Sequence, residues 1–174
     1  MRWCVRAGGS LSYEAKDKAD PKFCKARDYA FRLLKFRMRS QQELRRRLMR
    51  KKFDAAVIEK VIAFLEEKKF IDDREFAWAW AQEKIKKPLG IARIIRELKI
   101  KGIDKNIIEE VLGTIRCGYD EDGIVSELAR ARLERFKGLE PKKARTRLYA
   151  YLSRRGFSPD VISDAIKQIG AKDE

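Results

Sequence analysis

Residues 43–62 read ELRRRLMRKKFDAAVIEKVI. Leu44 and Leu48 lie four apart, on one face of a helix. The RKKF segment that follows reads as a turn, and Asp54 is placed to cap a second helix. Phe53 precedes that cap by one residue and Ile58 follows it by four, the spacing of a hydrophobic staple. The stretch therefore predicts two helices joined by a tight turn.

The same spelling recurs twice. ELKIKGIDKNIIEEVL occupies 97–112 and RLYAYLSRRGFSPDVISDAI occupies 147–166. Aligned on the turn, Leu48, Leu98 and Leu152 correspond, as do Phe53, Ile103 and Phe157. Asp54, Asp104 and Ser158 are the matching caps, and Ile58, Ile108 and Ile162 the matching staple positions. Gly102 and Gly156 suit the left-handed residue that ends a helix; Lys52 holds that place in the first copy. Pro159 stands at the favoured first position of its helix. Repeats of about this length mean stacked supersecondary units.

A further helix precedes each pair. The first runs through YAFRLLKFRMR and stops before Ser40, which with Glu43 spells a capping box. Asp72 and Glu75 spell another, with Ile71 and Phe76 as its staple. FAWAWAQEKIKK follows, ending before Pro88 and Gly90. The third spans roughly residues 121–136, stopped by Gly138 and Pro141. The expected fold is all-α: three tandem three-helix repeats in an elongated, curved molecule. The expected divisions are a tail over 1–26, repeats over 27–71, 72–119 and 120–169, and a short tail over 170–174. The first tail carries GG and a Pro without helical periodicity, so it is either disordered or packed locally through Trp3, Tyr13 and Phe23.

Charge narrows the partner. The 174 residues include 42 Lys or Arg against 27 Asp or Glu, a formal net charge of +15. Such an excess points to a polyanion, either nucleic acid or an acidic protein surface. The plainer alternative is a basic protein with no polyanionic partner. Residues 28–71 concentrate the imbalance, with thirteen basic residues against six acidic. Histidine is absent, which removes His-containing zinc sites and catalytic triads. No phosphate-binding Gly-rich loop such as GxxxxGK[ST] occurs. Cys4, Cys24 and Cys117 are odd in number and widely spaced, so no disulfide framework is expected. No membrane-length apolar segment or signal peptide is present, so the expected place is the cytosol.

The elements YAFRLLKFRMRSQQEL (29–44), LRRRLMRKKF (44–53), FIDDREFA (70–77), PLGIARIIRELKIKGID (88–104) and LSRRGFSPDVI (152–162) together resemble the RecX family of bacterial regulatory proteins. The resemblance covers nearly everything from residue 27 to 169. It implies a protein that binds the RecA recombinase, chiefly as its filament on single-stranded DNA, and restrains strand exchange, ATP hydrolysis and co-protease activity. By that resemblance the chain modulates recombination, DNA repair and the SOS response. The resemblance also implies that it lies in the filament groove and binds single- and double-stranded DNA weakly and without sequence preference. A monomeric non-enzyme without cofactor or metal is expected. The alternative is a sequence-independent DNA-binding helical protein that acts without RecA.

On a helical wheel with Leu44 and Leu48 inward, Arg46 and Arg50 face outward, while Arg45, Arg47 and Lys51 flank the apolar stripe. Arginine suits carboxylates or phosphates because its fork bonds two oxygens at once. A second candidate surface comprises Arg145, Arg147, Arg154 and Arg155, with Arg147 and Arg154 seven apart and outward. The competing explanation for each is a solvated helix face. For Lys51, Lys101 and Arg155, which recur just before the turns, ordinary helix-end electrostatics is the stronger reading. Trp80 is expected in the core and Trp78 against a neighbouring repeat, a site for stacking a base being the alternative. Asp72 and Asp73 resemble a carboxylate pair, but capping and first-turn electrostatics explain them, and no catalytic residue is assigned.

Overall fold

A computed structural model describes residues 20–170. Trp3, Cys4, Tyr13 and residues 171–174 lie outside them. Nine helices and no strand occur among the described residues: α1 (Pro21–Phe36), α2 (Gln41–Arg50), α3 (Ala55–Glu67), α4 (Asp73–Ile85), α5 (Ile91–Ile100), α6 (Lys105–Arg116), α7 (Glu121–Glu134), α8 (Pro141–Arg155) and α9 (Pro159–Gly170). They group in threes as the repeats require. The helices fall into two compact units, one ending at Phe76 and one starting at Ala77. The first holds α1 to α3 and the start of α4; the second holds the rest.

Each turn between the second and third helix of a repeat closes in the same way. Phe53 N–H donates to Leu48 O at 3.4 Å, Ile103 N–H to Leu98 O at 3.1 Å, and Phe157 N–H to Leu152 O at 3.4 Å. One residue earlier, Lys52, Gly102 and Gly156 donate to Met49 O, Lys99 O and Ser153 O. This paired pattern satisfies carbonyls that the helix end would otherwise orphan, and it needs a left-handed residue. Gly102 and Gly156 take φ of 77° and 88°, and Lys52 takes 60°. A side chain in that region costs on the order of 1–2 kcal/mol. Lys69, after α3, is the other non-glycine residue there among the described residues, with φ 55°.

The apolar stripes go inward. Leu44, Leu48, Ile94, Leu98, Leu148 and Leu152 are all fully buried. Burying each is worth about 2 kcal/mol. In the first unit α1, α2 and α3 pack on one another, joining Ala26, Ala30, Ile58, Ile62 and Leu65 to the leucines of α2. In the second unit α7, α8 and α9 enclose Val125, Ala129, Phe157 and Ile162.

Caps follow the sequence signals with one exception. Ser40 Oγ accepts from Glu43 N at 3.2 Å, and Asp72 Oδ1 from Glu75 N at 3.1 Å. Asp104 caps α6 through Asn106 N, and Ser158 caps α9 through Val161 N. Asp54 occupies the cap position of α3, but its side chain caps nothing; it takes the Lys22 ammonium at 2.9 Å instead. Helix α1 also begins earlier than its periodicity suggests. Asp20 accepts from Lys22 N and Pro21 opens the helix, placing Phe23 edge-on to Phe64 at 5.9 Å.

Candidate functional site

The basic residues of α2 divide by partner. Arg45 grips Glu59 of α3 with its fork, Nε to Oε1 at 3.0 Å and Nη2 to Oε2 at 3.0 Å, and also reaches Gln41. That hydrogen bond holds the Glu59 carboxyl below its ordinary pKa. Arg45 therefore joins α2 to α3. Arg46, Arg47 and Arg50 are exposed. Arg47 and Arg50 make no ion pair among the described residues. Lys51 is exposed and lies over the Tyr29 ring at 5.6 Å, beside Arg32 at 5.7 Å. Tyr29 in turn packs on Phe53. Arg46 and Arg50, outward on the wheel, are exposed, and α1 places Tyr29 and Arg32 beside Lys51.

The third-repeat candidates divide too. Arg145, Arg147 and Arg154 are exposed. Arg147 lines a shallow groove with Glu140, Lys142, Lys143 and Thr146. Arg155 turns back into the protein: its Nη1 donates to Pro88 O at 3.0 Å, and its guanidinium lies 5.0 Å from the Tyr151 ring centroid. Around it runs a joint that the sequence did not disclose. Gly90 N–H donates to Arg155 O at 3.0 Å, and Arg93 Nη1 to Arg154 O at 3.3 Å. A Cβ on Gly90 would stand 2.0 Å from Gly156 O. The backbone of α5's first residues thus rests directly on the α8–α9 turn, which only glycine permits. The family-like G-x-x-R start of α5 and the R-R-G-F turn are two halves of one contact.

Carboxylates at the start of first helices make further ties. Asp73 Oδ1 accepts from Gln41 N at 2.9 Å in the first unit, and Glu121 Oε1 from Ile91 N at 2.9 Å in the second. Both donors are first residues of second helices, whose N–H groups lack a partner in the helix. Burial pushes both carboxyls above their ordinary pKa, against the lowering effect of those hydrogen bonds. Asp73 is thus a tie as well as a first-turn anion. Pro141, the first residue of α8, has no N–H to offer.

Trp80 is only half-buried, contrary to the core position expected. Its indole N–H donates to Glu97 Oε2 at 3.2 Å, and Lys101 and Lys84 lie over its ring at 3.8 and 4.7 Å. Burial opposes the charge on Glu97, but Lys84 and Arg93 outweigh it and hold the carboxyl below its ordinary pKa. Trp78 is 40% exposed. No group of three or more metal-ligating side chains occurs among the described residues, and no described helix is long and apolar enough to cross a membrane.

Three family models match in order: the RecX first three-helix domain at residues 26–65, the second at 72–112 and the third at 120–166. The regulatory protein RecX of Chlorobium phaeobacteroides is 37% identical over 152 residues, covering 87% of this chain and 97% of that one. That of Bacillus licheniformis is 35% identical across 84% of this chain, which spans only 54% of the longer relative. The crystal structure of RecX from Lactobacillus salivarius superposes with a TM-score of 0.72 at 22% identity, covering 86% of this chain and 97% of the other. That likeness bears on the fold, which is the same three-repeat, all-α arrangement. Three matched domains and a relative 37% identical along nearly its whole length place this chain in the RecX family of regulatory proteins.

Proposed function

We propose that this chain is a non-enzymatic regulator that docks on a RecA nucleoprotein filament and slows its recombinase, ATPase and co-protease activities. The repeats proposed for that task are residues 27–71, 72–119 and 120–169. Docking runs through the first repeat, with the outward arginines of α2 on acidic groups of the filament. The observation carrying this reading is the division of labour on α2. Arg45 spends its charge on Glu59, whereas Arg47 and Arg50 are exposed with no ion pair among the described residues. Solvated arginines on a rigid helix keep both charge and fork for a partner, and they speed encounter with a polyanion.

The test is the double reversal R46E/R50E in an assay of RecA-dependent ATP hydrolysis on single-stranded DNA. At limiting protein, wild type slows hydrolysis and the variant does so at least tenfold less well per mole. Equal inhibition by a folded variant removes this face from the reading.

A second reading, DNA binding without RecA, draws on the groove lined by Lys142, Lys143 and Arg147. It requires naked DNA to be held as tightly as the filament, with a steep salt dependence.

A further inference from the structure

The link between α4 and α5 is held from beyond its own helices. Four consecutive residues each give one main-chain group to Tyr119 and Glu121, at the entry to α7, or to Arg155, at the end of α8. Pro88 O accepts from Arg155 Nη1 at 3.0 Å, and Leu89 O from the Tyr119 hydroxyl at 2.6 Å. Gly90 N–H donates to Arg155 O at 3.0 Å, and Ile91 N–H to Glu121 Oε1 at 2.9 Å. Leu89 and Ile91 are buried, so the chain runs inside here, where an unpaired main-chain group is costly. Two bare glycines let the backbones close: a Cβ on Gly90 would stand 2.0 Å from Gly156 O, and one on Gly156 would stand 2.3 Å from Arg93 Cβ. The matching link between α1 and α2 is held largely by its own side chains. Arg37 Nη1 donates to Met38 O at 2.8 Å and Arg39 Nε to Leu33 O at 3.3 Å, while Gln41 N–H reaches Asp73.

We propose that Pro88–Ile91 is a clasp, a conformational device by which the third repeat holds α5 in place, so that α5 and the α8–α9 turn open together. Tyr119, Glu121 and Arg155 are then positioning residues for the second repeat. The bonds of the clasp are shared by both sides. When α5 moves away, the Tyr119 hydroxyl, the Glu121 carboxylate and Arg155 O lose their partners. When the α8–α9 turn moves away, Pro88 O and Gly90 N–H are orphaned. Either motion breaks the same set, which makes the two openings one event. Repeat arrays hold each unit through its interface with the next, and here that interface is concentrated in four residues. The clasp does not depend on what the chain binds, but a partner that steadies the third repeat steadies α5 with it.

Native-state hydrogen exchange on the full chain tests the clasp. The equivalent turn amides of Phe53, Ile103 and Phe157, which donate to Leu48 O, Leu98 O and Leu152 O, report one repeat each. Y119F removes the bond to Leu89 O. Expected is about fivefold faster exchange at both Ile103 and Phe157, with Phe53 at its wild-type rate. E121A, which orphans Ile91 N–H, should act in the same way. E121Q keeps an acceptor there and should leave all three amides within about twofold of wild type. Four results overturn the proposal: Ile103 or Phe157 accelerating without the other; all three amides accelerating alike, which makes the loss global; none moving in Y119F and E121A; or E121Q accelerating exchange as much as E121A.

Discussion

The turn Arg50–Phe53 and the turn Arg154–Phe157 share a backbone pattern and nearly a spelling, RKKF against RRGF. They serve different ends. In the first repeat the turn faces solvent, its cations are exposed, and a lysine bears the left-handed conformation. In the third, Gly156 is buried beneath Gly90, and Arg155 holds Pro88 O. A repeat supplies one element many times, and the neighbour decides whether its basic residues form a surface or a joint. Counting charges along the chain cannot make that distinction.

The widest gap between the two turns should appear on substitution by alanine. At Gly156 a Cβ meets Arg93 Cβ at 2.3 Å and the φ stays left-handed. G156A should lose about 3 kcal/mol or more in chemical denaturation, and G90A a similar amount. K52A, which trades one strained side chain for another, should move stability by under about 0.5 kcal/mol. Comparable losses at both turns would end the distinction between surface and joint.

Arginine against lysine comes next. R155A forfeits the bond to Pro88 O and the packing on Tyr151, about 1–2 kcal/mol. K51A gives up an exposed cation over Tyr29, on the order of 0.5 kcal/mol. Denaturant midpoints of the two variants measure the difference.

Smaller again is the carboxylate tie beside the joint. E121A should cost about 1 kcal/mol by orphaning Ile91 N–H, while E121Q keeps an acceptor and should cost little. The pH dependence separates them further. The Glu121 carboxyl sits above its unfolded value, so its protonated form favours the fold. Its contribution is present below the unfolded carboxylate pKa and declines as pH rises through the folded one. E121Q should flatten that decline in melts taken from the ordinary carboxylate pKa upward. Least of all, R47E/R50E should leave the melting midpoint within about 1–2 °C, because neither side chain makes an ion pair among the described residues.

The helices, the three turns and most caps were legible because their signals are local. Leucines four apart, a glycine or its stand-in, and a cap followed by an apolar residue lie within about a dozen positions. The Asp20–Pro21 start of α1 was equally local, but the periodicity behind it is weak and the stretch read as tail. Asp54 was misread because its competitor, Lys22, lies 32 residues away. The joint was hidden for the same reason, since Arg155 and Pro88 are 67 residues apart. Trp80 read as core from its face, yet an indole N–H needs an acceptor, and Glu97 supplies it only at the edge. Of the nine basic candidates, the sequence placed Arg46 and Arg50 outward on α2 and Arg45, Arg47 and Lys51 beside its apolar stripe. It could not see that Arg45 and Arg155 have partners inside the protein.

Co-sedimentation of R47E/R50E with pre-formed RecA filaments, run beside naked single-stranded DNA at matched salt, tests the docking claim most directly. Wild type should pellet with filament in preference to naked DNA. The folded variant should stay in the supernatant. Its retention on the filament at the wild-type level would contradict the account.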